Sequence, residues 1–232
     1  MPRHISEQYD IELTNLRELL MAMGGLVEQQ VNNACTALVT HDLRLAEEVR
    51  KTEAQLNQME LDLDDECVGI IAKRQPTAGD LRAVVSVMKL ITDLERIGDE
   101  ADRIAKIALV LAEYEIPADG YGDFRQMHQD VMSTLNRALD GFARLDVEAA
   151  IRVIEDDEDI DRAYNSLVRK RIQLIQSQPE EAEHLVNLMW AARALERIGD
   201  HAKNIGEYVI YQVKGQDVRH GAGAPQTANE DE

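Results

Sequence analysis

The chain has 232 residues, and its 44 acidic and 25 basic side chains give a formal net charge of −19. Hydrophobic residues make up 44% of the chain and aromatic residues only 4%. A core must therefore be built mainly from aliphatic side chains, which suits packed helices better than a β-sandwich or barrel. A charge this negative excludes free binding to nucleic acid or to an anionic membrane surface, since both would repel the protein. It fits a protein that attracts cations or docks on basic partner surfaces.

The sequence carries no signal for secretion or for membrane insertion. The first residues, MPRHIS, lack the apolar core of a signal peptide. No apolar run approaches the roughly 20 residues that a membrane span requires. Cys35 and Cys67 lie inside apolar stretches and form no CxxC pair, which predicts two core residues in a reducing compartment. We therefore expect a soluble cytoplasmic protein.

Apolar residues recur at steps of three and four along the first half, as they do on one face of a helix. The pattern predicts a helix of about 30 residues from Leu13, a second over about 43–73 and a third over about 81–114. Asp42 stands where it can cap the second helix. Residues 1–116 are thus predicted to form a first three-helix bundle.

The segment 117–123 contains one Pro and four closely spaced Gly or Asp residues, which predicts a linker between two halves. Further helices are predicted over about 124–145, 147–176 and 181–213, so that 124–214 forms a second three-helix bundle. The polar, acidic segment 215–232 is predicted to be a disordered tail.

An internal repeat relates the two halves. The six residues at 94–99 (LERIGD) recur letter for letter at 195–200, and Ala101 and Ile104 recur at the same offset. Short turns between long helices make successive helices antiparallel. The repeat therefore predicts an all-α fold of two tandem antiparallel three-helix bundles related by a pseudo-twofold axis.

The repeated motif places two carboxylates one helical turn apart in each half. Glu95 and Asp99 are related as i and i+4, as are Glu196 and Asp200, and such pairs repel each other by a few tenths of a kcal/mol. A bound cation would turn that repulsion into attraction, and oxygen ligands suit Mg²⁺, Mn²⁺, Ca²⁺ or Fe³⁺. Asp102, three residues after Asp99, adds a third carboxylate, so we expect the first site to be the more acidic.

Structural explanations of the same residues stay open. Acidic helix faces with neighbouring arginines are typical of solvated, salt-bridged surfaces. The mid-helix Gly98 and Gly199 serve either ligand access or tight helix packing. We expect His201 to be a surface histidine and the acidic run at 155–161 to be solvated surface. Phosphate-binding loops, nucleophile elbows and Cys/His pairs are not found, so we expect no enzyme.

The duplicated ERIGDxAxxI motif, the QPTAGDLR turn at 75–82 and the six-helix order resemble the PhoU family over about residues 5–214. The resemblance implies two similar, spectrin-like three-helix bundles in a cytoplasmic protein that is usually a homodimer. It also implies a negative regulator of the phosphate regulon that restrains phosphate uptake. Its implied partners are the phosphate transporter ATPase PstB and the sensor histidine kinase PhoR, and it would meet the membrane only through them.

The resemblance also implies a metal cofactor. The family's E(D)xxxD motif, associated with Mg²⁺, Mn²⁺ or iron, falls on Glu95 and Asp99 and on Glu196 and Asp200 in this sequence. Asn204 matches the Asn of the family's DxAxNI extension, whereas the first copy has Arg103 there.

Three hypotheses follow from these residues. The first is an adaptor whose acidic helix faces bind metal and shape a docking surface. The second is a metal-free helical scaffold whose carboxylates pair with basic partner surfaces. The third, an enzyme that uses metal and the carboxylates to hydrolyse phosphate esters, has the least support in the sequence.

Overall fold

A computed structural model of the protein describes residues 7–115 and 121–218, and within them it contains helices and no strand. A short 3₁₀ turn at 179–181 precedes the last of the six long helices. These helices are α1 (Glu7–Thr40), α2 (Leu43–Arg74), α3 (Ala78–Leu111), α4 (Gly122–Arg144), α5 (Val147–Ser177) and α6 (Ala182–Lys214). The all-α prediction is confirmed.

The connection between the first two helices of each half is built in the same way. Asp42 precedes α2 and Asp146 precedes α5, and each carboxylate accepts hydrogen bonds of 3.0–3.1 Å from two backbone N–H groups of the helix that follows. These contacts satisfy donors that a helix start otherwise leaves unpaired. The residues before them, His41 and Leu145, adopt left-handed φ values of 55° and 56°, which end α1 and α4. The predicted cap at Asp42 is confirmed.

Each half packs three helices together, and the two halves then share a seam. α1, α2 and α3 contact one another, α4 and α5 both pack on α6, and α4 also packs on α5. The most extensive contact in the chain joins α3 to α6, and α1 also packs on α4. The buried aliphatic side chains form one continuous core to which all six helices contribute.

Several sequence predictions concern helix ends and the segments between helices. α4 begins at Gly122, two residues before the predicted start, and Asp123 in its first turn pairs with the buried Arg171 of α5 at 2.5 Å. Of the predicted linker at 117–123, residues 117–120 lie outside the described part of the chain, as do residues 219–232 of the predicted tail. Within the described residues, no helix combines the length and the apolar character needed to cross a membrane.

Both cysteines lie in the core as free thiols, which confirms their predicted placement. Burial raises the pKa of Cys35, and burial with two nearby carboxylates raises the pKa of Cys67 to about 12. Neither thiol is therefore ionised at neutral pH.

The glycines of the repeated motif allow close helix packing. A Cβ on Gly98 would lie 2.7 Å from Leu56 Cδ1 of α2, and one on Gly199 would lie 3.1 Å from Ile160 Cδ1 of α5. Of the two sequence explanations for these glycines, the structure supports helix packing, because an α2 or α5 side chain fills the space beside each one. Farther along α6, Gly206 faces the backbone carbonyl oxygen of Ala150.

Two glycine substitutions test this packing. Gly206→Ala would put a Cβ 3.0 Å from the Ala150 carbonyl oxygen, which cannot move without moving α5. We expect it to lower the free energy of unfolding by about 1–3 kcal/mol in urea titrations. Gly25→Ala in α1 is the matched control, since no atom lies within 4 Å of its added Cβ. This control should raise the free energy of unfolding by about 0.5–1 kcal/mol. Equal effects of the two substitutions would contradict the packing account.

Candidate functional site: two acid clusters on equivalent helix pairs

The repeated motif divides its side chains between the core and the surface of each helix. Leu94, Ile97, Ala101 and Ile104 of α3 are completely buried, as predicted, and so are their equivalents in α6. Because residues i and i+4 share a face, Glu95 and Asp99 both lie on another side of α3. The motif therefore fixes where the carboxylates stand.

In the first half, α2 adds three carboxylates to the two of the motif. We call this group the α2–α3 acid cluster; it consists of Glu53, Glu60 and Asp64 of α2 and Glu95 and Asp99 of α3. Glu95 is half-buried and Asp99 is exposed. The packing of α2 on α3 thus concentrates negative charge at one place on the surface.

The proximity of these carboxylates changes their acidity. Burial raises the pKa of Glu95, and the charges of Asp99 and of the α2 glutamates raise it further. Burial likewise raises the pKa of Glu60, with Asp64 and Asp99 adding to the effect. Among the described residues, no Lys, Arg or His nitrogen forms an ion pair with Glu60, Glu95 or Asp99. The first cluster is thus a group of carboxylates that repel one another.

The second half repeats this arrangement with different residues. The α5–α6 acid cluster consists of Asp157 and Asp161 of α5 and Glu196 and Asp200 of α6. Burial, followed by the charge of Asp200, raises the pKa of Glu196 to about 7. Burial and the two α5 aspartates raise the pKa of Asp200.

Two cations of α6 lie against the second cluster. Arg193 hydrogen-bonds one carboxylate oxygen of Glu196, and Lys203 Nζ donates to Asp157 at 2.6 Å. The other oxygen of Glu196, Oε2, is buried and has no hydrogen-bond partner. The two clusters therefore differ in their ion pairs. In the first, the charge of Arg96 opposes the rise in the pKa of Glu60 and Glu95 without forming an ion pair, whereas the second has cations in direct contact with its carboxylates.

The acidic run at 155–161 is not simply the solvated surface that the sequence led us to expect. Asp157 is only 7% exposed, and its charge and that of Asp161 act on Asp200. The sequence did contain a signal, because Asp157 and Asp161 have the same i, i+4 spacing as Glu196 and Asp200. That signal was hidden among neighbouring acids that do point into solvent.

The remaining predicted ligands contact other groups. Asp102 is buried and forms an ion pair with Lys106. Arg50 also forms an ion pair with it, at 3.6 Å between Arg50 Nε and Asp102 Oδ1, a distance too long for a hydrogen bond. Asn204 Nδ2 donates to Asp93 Oδ1 at 3.2 Å, on the α3–α6 seam. Both residues would have to leave these partners to join a cluster.

A buried carboxylate at the seam binds three side chains of α6. Asp93 is 1% exposed and accepts hydrogen bonds from His201 Nδ1 at 2.7 Å, Asn204 Nδ2 at 3.2 Å and Tyr208 Oη at 2.5 Å. His201 is itself buried, so the expectation of a surface histidine was wrong. Because a carboxylate only accepts, the proton of this imidazole lies on Nδ1. The repeat could not predict this network, since Ala194 occupies the position equivalent to Asp93.

The clusters have the chemistry of hard-cation ligands, although the described residues hold no preassembled ion site. Within the described residues, no three His, Cys, Asp or Glu side chains are arranged so that they could hold a metal ion. All the donors are carboxylate oxygens, the type that Mg²⁺, Mn²⁺ and Fe³⁺ prefer. The orphaned Glu196 Oε2 and the carboxylates of the first cluster, which form no ion pair among the described residues, would gain most from a cation.

Comparison with known families identifies the repeat. A family model described as the PhoU domain matches the chain twice, at residues 20–108 and 124–209. This chain belongs to the PhoU family. The two matches coincide with the two halves of the fold, and each contains one acid cluster.

Relatives match the PhoU-family chain along most of its length. The phosphate-specific transport system accessory protein PhoU homolog of Pseudomonas aeruginosa is 46% identical over 220 residues, covering 95% of this chain and 91% of that protein. The phosphate-specific transport system accessory protein PhoU of Escherichia coli is 39% identical over 232 residues, with 95% and 91% coverage.

Solved structures of PhoU proteins share the fold. The crystal structure of PhoU from Pseudomonas aeruginosa matches with a TM-score of 0.87 and 45% identity, covering 90% of this chain and 100% of that chain. The phosphate transport system regulatory protein PhoU from Streptococcus pneumoniae matches with a TM-score of 0.84 and 30% identity, covering 90% and 99%. The six-helix arrangement is therefore the PhoU fold.

The raised pKa of Glu196 predicts a pH-dependent substitution effect. Its ordinary pKa of 4.5 rises to about 7 in the folded protein, so this group's contribution to stability is full below pH 4.5 and is lost as the pH rises to about 7. Glu196→Gln removes that loss. In urea titrations with chelator present, the variant should gain roughly 1–3 kcal/mol relative to the native protein between about pH 4 and pH 8.

Glu18→Gln, at an exposed position of α1, is the control for removing one negative charge. Its stability relative to the native protein should change little across the same pH range. A Glu196→Gln effect that stays constant with pH would contradict the assigned pKa.

Proposed function

We propose that this protein is a negative regulator of the phosphate regulon and of phosphate uptake. Its role would be that of an adaptor between the ATPase PstB of the phosphate ABC transporter and the sensor histidine kinase PhoR. The main support is membership of the PhoU family along both halves, with relatives named as accessory proteins of phosphate transport. An adaptor also suits a chain made of two similar helical units, because each unit offers a surface.

The proposal includes a cytoplasmic location and a homodimer. The formal charge of −19 repels nucleic acid, so control of transcription would run through protein partners. The same charge repels anionic lipid, so the protein would reach the membrane only through the transporter and the kinase.

Deletion of the gene tests the regulatory role. We expect phosphatase expression to become constitutive in phosphate-rich medium, and a plasmid copy of the native gene to restore repression. Phosphatase activity in cell extracts is the measurement. Expression that remains repressed in the deletion strain would overturn the proposal.

We further propose that Mg²⁺, Mn²⁺ or iron binds the acid clusters, with Glu95 and Asp99 in the first and Glu196 and Asp200 in the second. A bound cation would offset the repulsion between carboxylates and so tighten α2 on α3 and α5 on α6. The support is the raised pKa of Glu95, Glu196 and Asp200 and the orphaned oxygen of Glu196. The first cluster should bind more tightly, since it has no ion-paired cation of its own among the described residues.

A metal-free scaffold is the second candidate, and the second cluster favours it. Arg193 and Lys203 already lie against Glu196 and Asp157, so charge there is partly balanced without an ion. In such a scaffold, the carboxylates of the first cluster would pair with Lys or Arg of a partner protein.

Paired substitutions separate the two candidates. Glu95→Gln with Asp99→Asn should lower the bound metal measured by elemental analysis after dialysis against Mn²⁺, and should shrink the rise in melting temperature that Mn²⁺ causes. A ligand selective for the folded state stabilises by about 2.7 kcal/mol at one hundred times its Kd. Asp62→Asn with Glu66→Gln is the control, an exposed i, i+4 pair of α2 outside the cluster. Unchanged metal content in the first double variant would favour the metal-free scaffold.

A further inference from the structure

The α3–α6 seam has two ends that are equivalent by the repeat but differ in chemistry. At one end, Lys89 Nζ lies 5.6 Å from the ring centroid of Tyr208 and 4.8 Å from that of Tyr211. The repeat offset of 101 residues carries Lys89 to Trp190, and the two tyrosines to Ile107 and Val110. The other end of the seam is therefore apolar where the first end is cationic and aromatic.

The direction of packing brings these equivalents together. Asp93 of α3 contacts Tyr208 of α6, whereas Glu100, farther along α3, contacts Arg197, nearer the start of α6. The two helices are thus antiparallel, and the repeat makes Trp190 and Val110 the equivalents of Lys89 and Tyr211, which contact each other across the seam.

Three apolar side chains at this end are exposed. Trp190 is 60% exposed, Val110 is 42% exposed, and Val186, one turn before Trp190 on α6, is 40% exposed. We call these three residues the Trp190 patch. An exposed tryptophan beside exposed aliphatic side chains has the composition of an interface anchor, since aromatic residues dominate binding hot spots.

The charges around the patch are unequal on its two sides. Toward the end of the bundle lie Glu113, Glu181 and Glu183. Burial raises the pKa of Tyr114, and a hydrogen bond with Glu183 and the charges of these three acids raise it further. Glu181 is also paired with His184. On the other side lie three cations, each already paired with a carboxylate: Arg103 with Glu100, Lys106 with Asp102 and Arg193 with Glu196. The charge next to the patch that is left to attract a partner is therefore negative.

We propose that the Trp190 patch docks an amphipathic helix of a partner protein whose apolar face is flanked by Lys or Arg. Such a helix would lay its apolar anchors on the patch and its cations against Glu113 and Glu183. A second copy of this chain fits less well, because a twofold contact centred here would bring the same glutamates together. The inference deepens the adaptor proposed above and rests on it.

Trp190 is the single tryptophan of the chain, so its fluorescence reports on this patch alone. The probe is a fluorescein-labelled Leu/Lys amphipathic helical peptide of roughly 18 residues, which makes five helical turns. An Ala/Lys peptide of equal charge controls for general attraction to an acidic protein. We expect only the Leu/Lys peptide to bind. In its unlabelled form it should shift the Trp190 emission to the blue, and in its labelled form its fluorescence anisotropy should rise to saturation as protein is added.

Substitutions on the patch should remove this binding. Val110→Asp and, separately, Trp190→Ala should weaken the peptide at least about tenfold, which corresponds to 1.4 kcal/mol. Val213→Asp is the matched control, an exposed valine of α6 outside the patch, and should bind as the native protein does. Melting temperatures show whether each variant is folded. If Val110→Asp fails to fold, Trp190→Ala still tests the patch, because it replaces an exposed side chain.

Two results would overturn the proposal. Equal binding by the native protein, Trp190→Ala and Val213→Asp would show that attraction is general to the acidic surface. The emission of Trp190 could instead shift to the blue as protein concentration rises, without peptide, while sedimentation shows a dimer that Val110→Asp abolishes. That result would assign the patch to a second copy of the chain. Either result can occur while gene deletion still derepresses the phosphatase, so failure here is distinguishable from failure of the regulatory role.

Discussion

The carboxylate of Asp93 is the interaction on which the arrangement of the two halves depends. A buried charge without partners is costly, and Asp93 avoids that cost only when three donors of α6 are aligned with it. One register of α3 against α6 meets this condition. That register decides which faces of the two helices turn toward α2 and α5, and so where the acid clusters form.

The same motif then produces two different electrostatic sites. Glu95 and Asp99 meet further carboxylates of α2, and their mutual repulsion is left uncompensated by ion pairs in the described chain. Glu196 and Asp200 meet the aspartates of α5, but Arg193 and Lys203 reduce the repulsion there. Duplication has thus kept the backbone geometry while the surrounding side chains diverged. The divergence extends along the seam, where Lys89 at one end corresponds to Trp190 at the other.

Sequence periodicity was sufficient to predict the helices, because each long helix buries one apolar face. The repeat at 94–99 and 195–200 was sufficient to predict a fold of two similar units. Contacts specific to one copy could not be predicted: Asp93 and His201 meet across 108 residues, and neither residue is repeated. Asp157 looked like one acid among many, since burial depends on the helix that packs against it.

A double-mutant cycle between Asp93→Ala and Tyr208→Phe tests most directly whether this carboxylate fixes the seam. Urea unfolding of the native protein, both single variants and the double variant gives the coupling free energy. Hydrogen bonds to a buried charge predict a coupling of about 1.5–3 kcal/mol. A parallel cycle of Asp93→Ala with Glu12→Ala, whose carboxylate pairs with Arg74, should be additive within about 0.5 kcal/mol. Additivity in the Asp93–Tyr208 cycle would contradict the account.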